Sequence, residues 1–524
     1  GEISEKAAVN KDFEVLRSYL TDGYVGYDFA KKKGFNVDKA IEDIKENPYI
    51  EDVKVRRSLN GEVVLDIKER MATFMLQDGN DYIYINNQGY ILERTTEPIK
   101  GPIIKGYSTT KFELGTRLCV EDLKKLDVVI QIIDAAKANG IDEIIEVIDI
   151  SNGMNILCSH LDSPRLDVKQ HPFYEDNGLV LLDTHYYGGI KKYQWVAQPL
   201  ALHGVVCKKD GTTVEINIGE DEDDPVFFVS DLLIHLASEQ MEKKANKVIE
   251  GEALDIIIGN MPLKASKNEK EKEAVKANVL KILADNYGIE EADFNSAELE
   301  VVPAGKARHA GFDKSMVLAY GHDDRVCAYS SLRGMLEAKN CKRTTCCILV
   351  DKEEIGSVGA TGMQSMFFEN VVRELLEGMG VYSELAVRRC LAGSFMLSSD
   401  VTSGYDPTYA SSFDKKNVSF LGYGFSFDKF TGARGKSGSN DANAEYLGKL
   451  RKIMDDAGVS YQMSELGKVD LGGGGTIAYI TALYGMNVID CGVPVLNMHA
   501  PNECISKADL YENKQGYVAF LKNA

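Results

Sequence analysis

A chain of 524 residues, 44% of them hydrophobic, can bury several sizeable cores, and its length is that of three or four domains. Its formal charge of −20 argues against nucleic acid and anionic membrane as partners. No stretch approaches the roughly 18 consecutive apolar residues of a membrane span, the first residues carry no apolar signal core, and ten cysteines scattered without CxxC pairs suit a reducing cytoplasmic setting. In chain order, residues 1–35 read as an amphipathic helical segment ending near Lys31–Phe35. A helix and then alternating strands follow at Val53–Arg57, Val63–Ile67 and Tyr82–Ile85, with Asn86–Gly89 as a hairpin turn into Tyr90–Leu92. Leu123, Leu126, Val129, Ile130, Ile133 and Ala136 recur at helical spacing, which predicts a helix over Leu123–Asn139 stopped by Gly140. Strands are predicted again at Gly178–Leu182, Leu200–Val206, Thr213–Ile218 and Val226–Val229, and a charged helix near Lys267–Tyr287.

From about residue 151 a different grammar sets in: short apolar runs that end in metal-type ligands. Met154–Cys158 leads to His160 and Asp162, Met316–Tyr320 to His322, Asp323 and Asp324, and Cys346–Val350 to Asp351, Glu353 and Glu354. Phe395–Leu397 leads to Asp400, and Val493–Leu496 to His499. Such runs read as buried strands, and parallel α/β sheets carry their sites beyond the carboxyl ends of their strands. All five ends are therefore expected on one sheet, converging on one crevice. So many carboxylates in one place call for a cation. Mixed histidine and carboxylate donors suit Zn²⁺, Mn²⁺ or Co²⁺ better than Mg²⁺ or Ca²⁺. The pattern is that of a two-metal hydrolase. Between Lys169 and Met316 no strand ends in ligands, which predicts a β-rich domain inserted into the catalytic sheet.

SHLDSPRLDVKQ, THYYGGIKKYQW, GHDDRVCAYSSL, DKEEIGSVGATGMQS, LSSDVTSGYDP and GGGGTIAY…DCGVPVLNMHAP follow in order over Ser151–Ala524. Together they resemble the aspartyl aminopeptidase family in its clostridial variant. The resemblance implies a dinuclear zinc metallo-aminopeptidase of α/β class, with a mixed-sheet catalytic domain interrupted by a dimerisation domain, assembling as dimers or dodecamers. It implies that His160 and Asp400 terminate on one metal and Glu354 and His499 on the other, with Asp324 bridging by register within HDD. Glu353 would then be the general base and Asp162 the carboxylate that orients His160. Lys429 matches a substrate-binding lysine. Tyr193 departs from the family, many of whose members place there a histidine that reaches a neighbouring subunit.

Other features carry blander readings. Gly435-Lys436-Ser437 lacks the leading glycine of a phosphate loop, since position 430 is Phe430. Gly472–Gly475 lets backbone pack tightly, and His171, His185, His203, His235 and His309 lie off the strand ends as structural residues.

Ahead of these motifs, ENPYIEDVKVRRSLNGEVVLDIKER and YIYINNQGYILE resemble the POTRA domain of an FtsQ/DivIB-type cell-division protein. LCVEDLKKLDVVIQIIDAAKANGI resembles the start of that protein's β domain, although the membrane helix that precedes POTRA there is absent here. The expected layout is a helical segment (1–35), a small α+β POTRA-like domain (36–105), a partial β-domain-like segment (106–150), a catalytic domain (151–172 and 312–524) and an inserted dimerisation domain (173–311). The activity implied is hydrolysis of N-terminal residues, acidic ones included, from peptides. An acidic preference needs local positive charge against the −20 background, for which Lys429, Arg434 and Lys436 are candidates. The competing readings are a non-catalytic POTRA-type scaffold bearing a degenerate hydrolase, and a dinuclear deacylase or amidase.

Overall fold

The computed structural model describes residues 39, 42, 44–57, 63–98, 102–104, 107–138, 149, 151–264, 273–432, 437–475 and 477–524. The helical reading of 1–35 lies outside them, as do Arg434 and Lys436. The chain forms two compact units: residues 1–152 with 369–390, and residues 153–368 with 391–524.

In the first unit, Ile50–Arg57 and Val63–Glu69 pair as an antiparallel ribbon. A four-stranded sheet has the order Ile91–Thr95, Asp81–Ile85, Phe74–Asp78 and Ile103–Ile104. The Asn86–Gly89 turn forms as its sequence demands. Gly89 takes the left-handed φ of +76° that lets its N–H reach Asn86 O at 3.0 Å, and the Asn86 side chain accepts from the Gln88 and Tyr90 N–H groups. The helix foreseen at Leu123–Asn139 runs Val120–Ala138, and its Leu126 and Ile133 pack on Phe74, Leu76, Ile83, Ile85 and Ile91. Asp122 ties the preceding loop to it, accepting the Ser108 and Thr109 N–H groups at 2.7 Å each. On the same helix, Val128 and Lys125 lie against Gly378 and Gly380. The helices Phe367–Gly378 and Glu384–Ala392 thus supply most of their length to this unit. Front residues alone do not complete it, although the layout expected from sequence ended the front part at residue 150.

The second unit holds three sheets. A seven-stranded antiparallel sheet is built from strands between Arg165 and Pro303, in the order Thr213–Ile218, Leu200–Cys207, Ala297–Pro303, Arg165–Asp176, Leu179–Tyr187, Ile256–Gly259, Phe228–Val229. Trp195 and Phe294 fill its core. A six-stranded mixed sheet has the order Thr345–Val350, Asn155–His160, Phe395–Ser399, Asn487–Gly492, Phe425–Asp428, Tyr461–Ser464. Its first four strands run parallel, with Phe425–Asp428 antiparallel to its neighbour. The helices His322–Glu337, Ala444–Ala457 and Lys507–Asn523 accompany it, and the last buries Tyr517, Phe520 and Leu521 against Phe425 and Phe427. The third sheet orders Arg308–Ala310, Met316–Ala319, Glu503–Ser506, Pro494–Leu496 and Thr402–Ser403.

This partition corrects the one-sheet expectation. The runs ending at His160, Glu353–Glu354 and Asp400 are neighbours in the parallel part of the six-stranded sheet, as foreseen. Those ending at Asp323–Asp324 and His499 belong to the five-stranded sheet, where both flank Glu503–Ser506 antiparallel. A run of four or five apolar residues encodes burial, not partner or direction. Among the described residues no helix is long and apolar enough to cross a membrane.

Candidate metal centre

The two sheets deliver their candidate ligands to one place by different routes. His160 is the last residue of its strand and is 1% exposed. Its Nδ1 lies 2.9 Å from Asp162 O and 3.3 Å from Asp162 Oδ1, which leaves Nε2 facing the cluster. Asp162 also accepts from Tyr187 Oη at 2.8 Å and from the Glu353 and Glu354 N–H groups at 3.1 Å each. One buried carboxylate therefore orients the imidazole and anchors the loop bearing both glutamates.

Where the chain enters the helix His322–Glu337, Asp323 (φ −80°, ψ 106°) and Asp324 (φ −116°, ψ 23°) depart from helical dihedrals and are joined by a cis peptide bond, and their side chains take different directions. Asp323 faces the cavity, with Oδ1 3.2 Å from His160 Nε2 and Oδ2 3.2 Å from His499 Nε2. Asp324, the expected bridge, turns the other way. Its Oδ2 accepts the His160 backbone N–H at 3.3 Å, and it is absent from the cavity wall. Register with the family pattern pointed to Asp324, whereas the carboxylate that lies between the two imidazoles is that of Asp323; either aspartate follows the same strand at nearly the same distance.

His499 sits in the left-handed region at φ +64°, its Nδ1 2.9 Å from Gly189 O and its Nε2 3.5 Å from Glu354 Oε2. Glu353 Oε2 and Asp400 Oδ1 lie 3.9 and 3.7 Å from His160 Nε2. Donor atoms of Asp323, Glu354 and His499 lie within 4.8 Å of one another, as do those of His160, Glu353 and Glu354, and those of His160, Asp324 and Asp400. Sequence reasoning missed Glu503. This carboxylate is 1% exposed and accepts the Asp323 N–H at 2.9 Å and the His499 N–H at 2.7 Å. The signal available was a lone acid four residues after a ligand histidine, and spacing alone does not distinguish that from a turn residue.

Electrostatics agree with a cation site. Burial, then Asp400, push Glu353 up to about 8. Burial, then Asp323, raise Glu354 well above the usual carboxylate range. Burial alone would lower His499, but Asp323 and Glu354 outweigh it and raise it to about 10. The buried oxygen Glu354 Oε1 has no hydrogen-bond partner among the described residues. An unsatisfied buried carboxylate oxygen beside an imidazole is what a divalent cation compensates, and this nitrogen and oxygen donor set fits zinc.

Above the cluster opens a cavity of about 710 Å³, walled by Phe430, Lys468, Tyr479, Met498 and the glycines 472–475. Lys429 is not part of that wall. It pairs with Asp441 at 2.8 Å and lies over the Phe430 ring, so its cationic end is already engaged. Tyr193 is exposed and also lies outside the wall.

A sequence profile described as aminopeptidase I zinc metalloprotease, peptidase M18, matches residues 141–521. The chain belongs to this family. The probable M18 family aminopeptidase 1 of Clostridium acetobutylicum is 62% identical over 371 residues, covering 71% of this chain and 79% of its own. A crystal structure of the M18 aminopeptidase of Thermotoga maritima gives a TM-score of 0.71 at 42% identity, covering 76% of this chain and 93% of that one. The mApe1 dodecamer of Saccharomyces cerevisiae gives 0.54 at 19% identity over 71% and 80% of the two chains, a likeness of fold alone. This M18 protein is therefore a metal-dependent aminopeptidase with the mixed α/β fold of its relatives. The match begins at residue 141, so it lends no support to the FtsQ/DivIB resemblance of residues 36–150.

Proposed function

We propose that the cluster holds two divalent ions, zinc in the first instance with cobalt and manganese as alternatives, and cleaves single residues from free peptide N-termini. The observation that carries this reading is Asp323, with one oxygen 3.2 Å from each imidazole. His160 and Asp400 would hold one ion, Glu354 and His499 the other, and Asp323 would be shared. Asp324, the bridge expected from sequence, is reassigned as the residue that fixes the His160 backbone. Bound cations supply Lewis acidity toward the scissile carbonyl and toward water.

The protein's own groups do the rest. Glu353, buried beside the cluster and raised to about 8, accepts the proton of the attacking water and returns it to the departing amine. Asp162 fixes the His160 tautomer, so that Nε2 presents its lone pair. Lys468 is the one lysine or arginine on the cavity wall among the described residues, so it is the candidate for reading an acidic N-terminal side chain, the role first given to Lys429. Dialysis should leave about two ions per chain, with activity lost on chelation and restored by zinc. Full turnover of rigorously metal-free protein would overturn the reading, and a panel of aminoacyl chromophores ranks the side chains.

The division into a catalytic part (151–172, 312–524) and an inserted part (173–311) is kept in outline with its bounds moved: the seven-stranded sheet runs from Arg165 to Pro303, and Arg308–Ala310 pairs with Met316–Ala319 in the five-stranded sheet. Self-association through the inserted part is supported by the exposed apolar side chains Phe228, Leu233, Ile234, Leu236 and Met241. Ile234→Glu should shift the protein to a smaller species on size exclusion. A cytoplasmic location is supported by ten cysteines scattered without CxxC pairs. The degenerate scaffold is disfavoured by the complete donor set, and the deacylase reading by family membership.

A further inference from the structure

We propose that Glu503 is the positioning residue that sets the separation of the two halves of the metal centre, an inference that rests on Asp323 and His499 being ligands. Glu503 opens the strand Glu503–Ser506, which lies between Met316–Ala319 and Pro494–Leu496. Asp323 follows the first of these flanking strands and His499 follows the second. Each loop returns one backbone N–H to Glu503: Asp323 N to Oε2 at 2.9 Å, His499 N to Oε1 at 2.7 Å. A single rigid carboxylate thereby fixes the distance between the two backbones whose side chains meet in the centre.

Three observations separate this role from others. Both oxygens of Glu503 are committed to N–H donors, and the residue is absent from the cavity wall, so it acts through Asp323 and His499 and does not touch substrate or ion. His499 is held at φ +64°, a conformation that non-glycine residues adopt only when their surroundings enforce it, and its N–H bond to Glu503 is one of the enforcing contacts. A carboxylate is also the group this position needs. It accepts on both oxygens with charge-assisted strength, whereas a carboxamide has one acceptor and would turn donors toward the other N–H.

The test is Glu503→Gln in the full chain, read by zinc affinity in competition with a chromophoric chelator. The visible spectrum of the Co²⁺-loaded protein, kcat and KM taken separately, and melting of the metal-free protein accompany it. Zinc affinity should fall about 10- to 100-fold, the usual effect of losing a group that orients ligands. The Co²⁺ bands should shift, and kcat should drop with KM little changed, while metal-free melting stays near wild type. A merely structural residue would lower the melting temperature and leave affinity and spectrum alone, and that result overturns the proposal. If Glu503→Gln does not fold, Glu503→Asp keeps the charge and both acceptors but withdraws them by one methylene. Wild-type zinc affinity in a folded Glu503→Asp overturns the proposal, and so does failure of both variants to fold. Should the wild type itself bind no zinc, it is the ligand assignment that fails, and the comparison of variants against wild type keeps the two failures apart.

Discussion

The two imidazoles of the centre are held in opposite ways. His160 ends a strand inside a parallel sheet, is 1% exposed, and has on its Nδ1 the Asp162 carbonyl at 2.9 Å with the buried Asp162 carboxylate behind it at 3.3 Å. His499 leaves an antiparallel strand on a left-handed loop, keeps a third of its side chain exposed, and has only the Gly189 carbonyl on its Nδ1. The deep half is fixed by the sheet, and the shallow half by a loop and its hydrogen bonds. Each imidazole has a backbone carbonyl 2.9 Å from its far nitrogen, and the added carboxylate beside His160 makes it the stronger ligand, so the two halves should differ in grip.

The largest effect that bears on this comparison is in the glutamate pair. Glu353→Gln should lower turnover by ~10²–10⁴ while keeping the ions, whereas Glu354→Gln should lose an ion from the His499 half. Metal analysis and kcat measured together decide it, and the reverse pattern would exchange the two roles. Next, graded chelation should release metal in two steps, the His499 half about tenfold more readily. A single release step would remove the asymmetry.

Tyr187→Phe acts through Asp162, which orients His160 and anchors the glutamate loop. It removes the 2.8 Å donation to Asp162, which keeps its bonds to the glutamate loop, so the loss should be about 1 kcal/mol, seen as a modest fall in kcat/KM. The smallest effect should come from Lys429→Ala. An exposed pair with Asp441 contributes about 0–1 kcal/mol to stability, and kcat/KM should hardly move. A large loss there would restore Lys429 to the substrate site.

The strands of the parallel sheet were legible in the sequence and those of the second sheet less so, for a physical reason. Strands of a covered parallel sheet read as unbroken apolar runs, so the approaches to His160, Glu353–Glu354 and Asp400 stood out. The choice between Asp323 and Asp324 depends on backbone dihedrals at the entry to a helix, which no spacing encodes. Glu503 acts through hydrogen bonds to backbone, which leave no periodic trace. The assignment of Met316–Ala319 and Pro494–Leu496 to a second sheet is decided by pairing over long sequence separations. In the first unit the helix Val120–Ala138 and the Asn86–Gly89 turn were local and came out close to their reading, whereas the packing of Val128 and Lys125 on Gly378 and Gly380 was not local and did not.

That last packing has a consequence for how the protein is made. The chain enters its first unit, leaves it at residue 152, returns for 369–390 and leaves again. During vectorial synthesis the opening segment must wait for more than two hundred further residues before the helices that complete its fold leave the ribosome. Its half-finished surface, the Val128 side of the helix Val120–Ala138 included, is open to solvent and chaperones throughout that interval. Ribosome-stalled chains ending shortly before residue 369 should therefore bind holdase chaperones through their N-terminal part, and chains in which residue 390 has emerged should release them.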